Sequence, residues 1–305
     1  MKKSIQQLFG LLTLILVVTS LSCNLLQIAA GNTPNPPAEQ TVAALASSQP
    51  ASPSPTSAPT KAPLPMATSA PTNSPESQAY FDGITFSYDP SLSKGVLGQV
   101  LEASAPASDQ MPLFAINPKM DQFNFQGYPV SQDLKPQIQI FSISDYEKLA
   151  GDPIVSQTVE ALKKLMADHP ADSSGELPFL PIGNAGQLMH AQLKYIKFQN
   201  GKGIRYLAEF GQNYAPLSNK LLFYTFQGIT SDGAYYVSAV LPVNHAKLPG
   251  DDGEALAVQD FQKFSDNFPS YVVDIQNKLN AEKGSSFTPS LVLLDDMINS
   301  LKVAK

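Results

Sequence analysis

Few side chains in this sequence have types and spacings suited to chemistry. The three histidines, His169, His190 and His245, lie far apart, and no H-E-x-x-H or other metal-binding spacing joins them. Each reads as an ordinary surface or strand-end histidine. The acidic run in "LPGDDGEAL", with Asp251, Asp252 and Glu254, is the best candidate for a cation site, because calcium takes several carboxylates around a glycine-bearing turn. It lacks the alternating oxygen ligands and closing glutamate of an EF-hand loop. The simpler reading is a solvated loop whose carboxylates favour the positive end of the helix that follows. Asp295 and Asp296 read as the polar face of the last helix. No G-x-S-x-G elbow, P-loop or G-x-G-x-x-G is present, so no catalytic or cofactor-binding residue is assigned and no cofactor is expected. Serine arrangements without a sequence motif stay open.

One reactive group remains, the single cysteine of the chain, Cys23 in "SLSCN". A lone thiol cannot form a disulfide within its own chain. Its setting is informative. Lys2 and Lys3 precede an apolar run of eleven residues, Leu8 to Val18, followed by small residues at Thr19, Ser20 and Ser22. This is the layout of a secretory signal peptide, too short for the roughly 20 helical residues that span a bilayer.

With Ser22 directly before Cys23, the stretch resembles the lipobox of bacterial lipoproteins. That family favours leucine three places before the cysteine. Here Ser20 stands there, and Leu21 follows one place later. The resemblance implies cleavage before Cys23 and diacylation of its sulfur. Two acyl chains, at about 0.8 kcal/mol per buried methylene, hold a protein stably on a membrane where one does not. The partner so implied is the membrane, on its extracytoplasmic face, and no thiol is left for catalysis. The alternatives are ordinary secretion, with a cut near Ala29 and Ala30, or a short hydrophobic helix that stays attached.

From Asn24 to Ala79 there is no aromatic residue, and eleven of the 26 prolines fall between Pro34 and Pro75. Such a segment cannot bury enough apolar surface to offset its ordering entropy. Proline also favours an extended, semi-stiff chain. The segment reads as a tether, with a serine and threonine density that would suit O-linked sugars. The expected organisation is a signal peptide over 1–22, a tether over 23–79 beginning at the lipidated cysteine, and a globular domain over 80–305.

All eleven tyrosines and all but one of the phenylalanines fall in that domain, and tryptophan is absent. "FDGITFSYDP" has a turn signal at Asp82-Gly83 and then alternation at Ile84, Phe86 and Tyr88, which predicts a strand. "GVLGQVLEAS" and "PQIQIFSI" predict two more. The period then changes. Ser144-Asp145 caps a short helix ended by Gly151, and Pro153 opens a second whose Val155, Val159, Leu162 and Met166 share one face. Asn200-Gly201 predicts a hairpin turn with positive φ angles, and Ser231-Asp232-Gly233 a second hairpin. The tail is helical: a run broken or kinked at Pro269, then a helix with Thr288 as cap and Pro289 in its first turn. Tyr195, Phe198, Tyr206, Phe210, Phe223, Tyr224, Phe226, Tyr235 and Tyr236 read mainly as core and cross-strand packing, with two or three left to line a pocket for a sugar or an apolar ligand.

The fold class expected is α+β: an antiparallel sheet built from hairpins, with helices packed on one face. The element order and the "FDGITFSYDP" opening are similar to the PsbP-type sandwich of photosynthetic extrinsic proteins, a likeness that carries no site residue across. The net charge is −6, from 20 basic and 26 acidic residues without a Lys/Arg stripe, which disfavours nucleic-acid binding and a polybasic membrane patch. The functional expectation is a membrane-anchored binding module for a small solute, a glycan or an envelope protein. The alternatives are an assembly factor of an envelope complex and an envelope hydrolase.

Overall fold

The structure, a computed structural model, describes residues 77–105, 112–171, 175–251, 253 and 260–305. The signal peptide with Cys23, the tether, Asp252 and Glu254 lie outside the described residues. Chain contacts divide after residue 66, and everything described belongs to the unit 67–305.

The opening hairpin pairs β1 (Ser77–Phe81) with β2 (Ile84–Tyr88) through Asp82 and Gly83, at φ 46° and 77°. Ile84, Phe86 and Tyr88 are buried, in the expected alternation. Gly83 is required twice over. Its φ is left-handed, and a Cβ there would lie 2.2 Å from the Ala304 carbonyl oxygen. That close approach is made by the chain's end, where β10 (Lys302–Val303) pairs with β2 and completes a three-stranded sheet.

The main sheet has seven antiparallel strands. In chain order they are β3 (Gly95–Leu101), β4 (Met120–Gln126), β5 (Gln137–Ser142), β6 (Gly186–Phe198), β7 (Gly201–Gly211), β8 (Phe223–Thr230) and β9 (Tyr235–Pro242). In space the order is β3-β4-β5-β9-β8-β7-β6. The fold is α+β. Its helices, however, cover both faces of this sheet rather than the one expected. On one face, α1 (Ile143–Ala150) and α2 (Ile154–Asp168) pack on Phe141, Tyr206 and Tyr236. On the other, α3 (Phe261–Asn280), α4 (Leu291–Ser300) and the small sheet pack on Leu207, Tyr224 and Phe226. The physical reason shows in β8, where all eight residues are buried, a pattern that only a doubly covered strand has.

Four local expectations change. The N-cap of α1 is Ser142, whose hydroxyl accepts from the Asp145 amide at 3.3 Å, ahead of the Ser144-Asp145 pair; Gly151 ends the helix at φ 60° as expected. The β6–β7 turn is Gln199-Asn200, and neither Asn200 nor Gly201 has a positive φ. Asn200 bonds β10 instead, and Gly201 is needed because a Cβ would meet Phe198 and the Ile229 carbonyl. Pro269 sits inside a continuous helix, where Phe264, Phe268, Val272, Ile275 and Leu279 anchor the buried face on both sides of it. The cap of α4 is Ser290, which accepts from the Val292 amide; Thr288 bridges to Asn244.

Candidate functional site

The residues singled out for chemistry do not come together. His169 ends α2 in a left-handed conformation and stacks on Tyr195, with ring centroids 3.9 Å apart. His190 is buried in β6, and His245 is buried in the loop after β9. Both are therefore interior rather than surface residues. Among the described residues no three His, Cys, Asp or Glu side chains are grouped to hold a metal. Asp251 is exposed.

A serine–histidine–glutamate contact does exist, and it is not a nucleophile site. His245 Nε2 lies 3.2 Å from Ser286 Oγ and 3.5 Å from Glu282 Oε2. A general base would need a free lone pair on Nε2. Here the Lys247 amide donates to Nδ1 at 3.2 Å, so the neutral ring carries its proton on Nε2 and donates it. Lys247 also pairs with Glu282 and holds its carboxyl below the usual range. The cluster pins the loop after β9 to the connection between α3 and α4.

Asp295 likewise differs from its expected place on a polar helix face. It is 4% exposed and accepts from Arg205 Nε at 3.0 Å, Arg205 Nη2 at 3.1 Å, Lys194 at 2.8 Å and the Tyr224 hydroxyl at 3.2 Å. Arg205 also donates to the Gln192 carbonyl. Gln192 sits in a bulge of β6 at φ 58°, and its side-chain amide donates to the Leu279 and Glu282 carbonyls, both at 2.8 Å. These polar groups lock β6, β7, α3 and α4 together. All are satisfied internally, which gives them a structural role.

The concave surface lies elsewhere, where β6 begins and β7 ends. Residues 175–185, leading into β6, are fastened at this end of the sheet by side chains beneath them. Gln187 accepts from the Leu177 amide at 3.0 Å, Gln227 from the Leu180 amide at 2.9 Å, and Tyr146 from the Ile182 amide at 3.3 Å. The Tyr206 hydroxyl donates to the Pro178 carbonyl at 3.0 Å. Burial drives the Tyr206 hydroxyl far above its ordinary range, so it remains a donor at any working pH. The connection is thereby held as a rigid lip.

Three adjoining hollows, of about 790, 350 and 370 Å³, meet at Gln187 and form one bent cleft from α2 to α3. The largest is lined by Gly183–Leu188, by Gly211–Tyr214 and by Phe261. Gln212 donates to the Asn184 carbonyl at 2.8 Å and ties its two lips together. The side chains of Asn184 and Asn213 make no hydrogen bond among the described residues and are exposed. Tyr214 stacks on Phe268, with centroids 4.4 Å apart and planes at 17°, yet remains 50% exposed. One ring face is thus supported while the side chain stays half open to solvent. Phe261, 58% exposed, lines the same hollow. The described lining of this hollow has aromatic faces and amides and no Asp, Glu, His, Lys or Arg. Glu176 lines both neighbouring hollows, and His190 the one beside α3.

Of these cleft residues, Phe210 and His190 are among the candidates read from the sequence, whereas Tyr214, Phe261, Asn184 and Asn213 are not. The signal was the pair of short Gly/Asn/Gln-rich loops, "IGNAGQ" and "GQNYAP", at opposite ends of one hairpin. Only the pairing of Gly186 with Gly211 places those loops side by side. Among the described residues no helix is long and apolar enough to cross a membrane. Comparison with protein-family models, with curated proteins and with solved structures gave no match.

Proposed function

We propose that this chain is a lipid-anchored, extracytoplasmic binding module whose cleft beside Tyr214 takes an uncharged, hydroxyl-rich ligand, an oligosaccharide. The observation that carries this reading is the half-open ring of Tyr214, stacked on Phe268 in a hollow edged by the exposed amides of Asn184 and Asn213. A sugar ring offers an apolar C–H face to an aromatic platform and hydroxyls to amides, which both donate and accept. An apolar hollow with a few placed polar groups is the usual form of a binding site. Hydrolysis of a glycosidic bond needs two flanking carboxyl groups, and the described lining of the three hollows together supplies one, Glu176. The supported aromatic ring and the flanking amides favour a binding role for the cleft.

The full chain titrated with chitotetraose, cellotetraose and maltotetraose, followed by tyrosine fluorescence, tests the ligand class. Saturable binding to at least one is expected, weakened about tenfold or more by Tyr214→Ala, as for a rigid aromatic anchor. No binding to any of the three, or binding indifferent to Tyr214→Ala, would sink the proposal. The anchor rests on the lipobox-like setting of Cys23. Mass spectrometry of mature protein should find acylated Cys23 at the N-terminus, and an unmodified or different first residue rules it out.

A second reading, an assembly factor docking an envelope protein, is favoured by a different surface. β3 is an edge strand of the main sheet, and Leu97 and Val100 on it are 61% and 40% exposed. An exposed apolar edge is a surface to which a partner's strand can add.

A further inference from the structure

At the opposite end of the β6–β7 hairpin lies a hollow of about 490 Å³ that the oligosaccharide reading does not use. Lys197 is eleven residues beyond Gly186 on β6, so at about 3.3 Å per residue the two ends are some 35 Å apart. Gly201 and the turn Ser231–Gly233 line the hollow, and the Ser231 amide donates to the Asn200 carbonyl at 2.8 Å. Met166 and Ile229 form an apolar floor.

Three lysines reach this hollow, Lys197, Lys202 and Lys163. Lys197 and Lys202 are register partners, directly opposite each other on adjacent antiparallel strands. Like charges so placed repel, and sheets normally avoid them. Both side chains are exposed, and neither makes an ion pair among the described residues. Lys163, from α2, holds only an exposed i,i+3 pair with Glu160, of the kind worth little and readily exchanged. The one carboxylate in the described lining, Asp232, is turned into its own loop. It accepts from the Thr230 hydroxyl at 2.6 Å and the Ala234 amide at 3.0 Å, and these bonds keep it ionised. In a chain of net charge −6 this is a local reversal of sign, concave and floored by carbon.

We propose that this hollow binds a phosphate group, with Lys197 and Lys202 sharing its charge, Lys163 closing from α2, and the carbon next to the phosphate resting on Met166 and Ile229. A phosphate can carry two negative charges and so relieve both unpaired ammonium groups, where a single carboxylate would relieve one. Lysine serves phosphate as a mobile point charge. The apolar floor suits an ester, such as glycerol phosphate, whether free or as the headgroup of a lipid.

The test is a titration of the full chain with inorganic phosphate, glycerol 3-phosphate and dihexanoyl phosphatidic acid below its micellar concentration, each able to carry two charges on one phosphate. It is read by amide chemical shifts of Gly201, Ser231 and Gly233. Saturable shifts confined to these turns are expected. Lys197→Gln with Lys202→Gln should weaken binding about tenfold or more, and Asp232→Asn, which keeps the oxygen that caps the turn, should tighten it several-fold. Binding of the lipid more than about tenfold tighter than glycerol phosphate assigns the headgroup as ligand; equal binding assigns a free phosphate ester. Both lysines are exposed, so the double variant keeps its fold, and its unshifted remaining amides verify this. No saturable shift with any of the three probes, or shifts unchanged in the double variant, overturns the proposal.

Discussion

Asp295 shows how far a single side chain can depart from its sequence context. Beside Asp296 in "LLDDMIN" it looks like half of a solvated pair, but it is the buried counter-ion of Arg205. Removing one partner of such a pair strands the other in the interior. Asp295→Ala should therefore cost about 3–5 kcal/mol in urea unfolding, while Asp295→Leu combined with Arg205→Met should recover most of that loss. A single variant as stable as wild type would show that the pair is solvated. Lys305 is a second case. Burial lowers its affinity for a proton, but hydrogen bonds to Asp121 and Asp82 outweigh this and raise it above its ordinary value of 10.5. The Lys305 hydrogen bond in turn lowers Asp82 below its ordinary 3.8. A raised lysine stabilises fully below its unfolded value and loses this as pH climbs through the folded one. A lowered aspartate stabilises fully above its unfolded value and loses this as pH falls through the folded one. The melting-temperature gap between wild type and Lys305→Gln should accordingly be widest near neutrality and shrink in both strong acid and strong alkali. A gap that does not change with pH would contradict the ion-pair role.

At the scale of elements, patterns with a strong period were legible and positional details were not. Val155, Val159, Leu162 and Met166 are all buried on one face of α2, as their spacing requires. The second hairpin turns at Ser231-Asp232-Gly233, with Gly233 at φ 75°. β4 escaped notice because its burial ignores polarity: Asp121 and Gln122 are buried along with Phe123, the first by Lys305 and the second by Gln139. Pro269 was expected to interrupt a helix, and tertiary packing carries the helix through it. The missing amide still has its cost, so Pro269→Ala should stabilise by about 1–3 kcal/mol, less than the full penalty because proline also restricts the unfolded chain. Calorimetry of the variant checks this, and an unchanged or lower melting temperature would show that the local backbone depends on proline.

Among the described residues there are two core clusters, one on each face of the main sheet, and the sequence before them is rich in proline and has no aromatic residue from Asn24 to Ala79. A chain of residues 77–305 should unfold in one cooperative transition, with a melting temperature within about 2 °C of the full chain, since the faces share every central strand. Two separated transitions would mean that the layers fold independently.

What the sequence determined by itself was whatever depends on neighbours a few residues apart. This includes the lipobox-like setting of Cys23, a proline-rich segment free of aromatic residues, the opening and second hairpins, the amphipathic α2 and the α+β class. The tertiary structure alone decided matters of long-range pairing. Helices cover both faces because β7 to β9 bury side chains on both. The cleft exists because the pairing of Gly186 with Gly211 brings two distant polar loops together and α3 carries Phe261 and Phe268 up to Tyr214. The basic hollow exists because a register across one turn sets Lys197 against Lys202. A composition or a period records which residues want to be buried. It does not record which strand will lie beside which, and both candidate sites are made of those adjacencies.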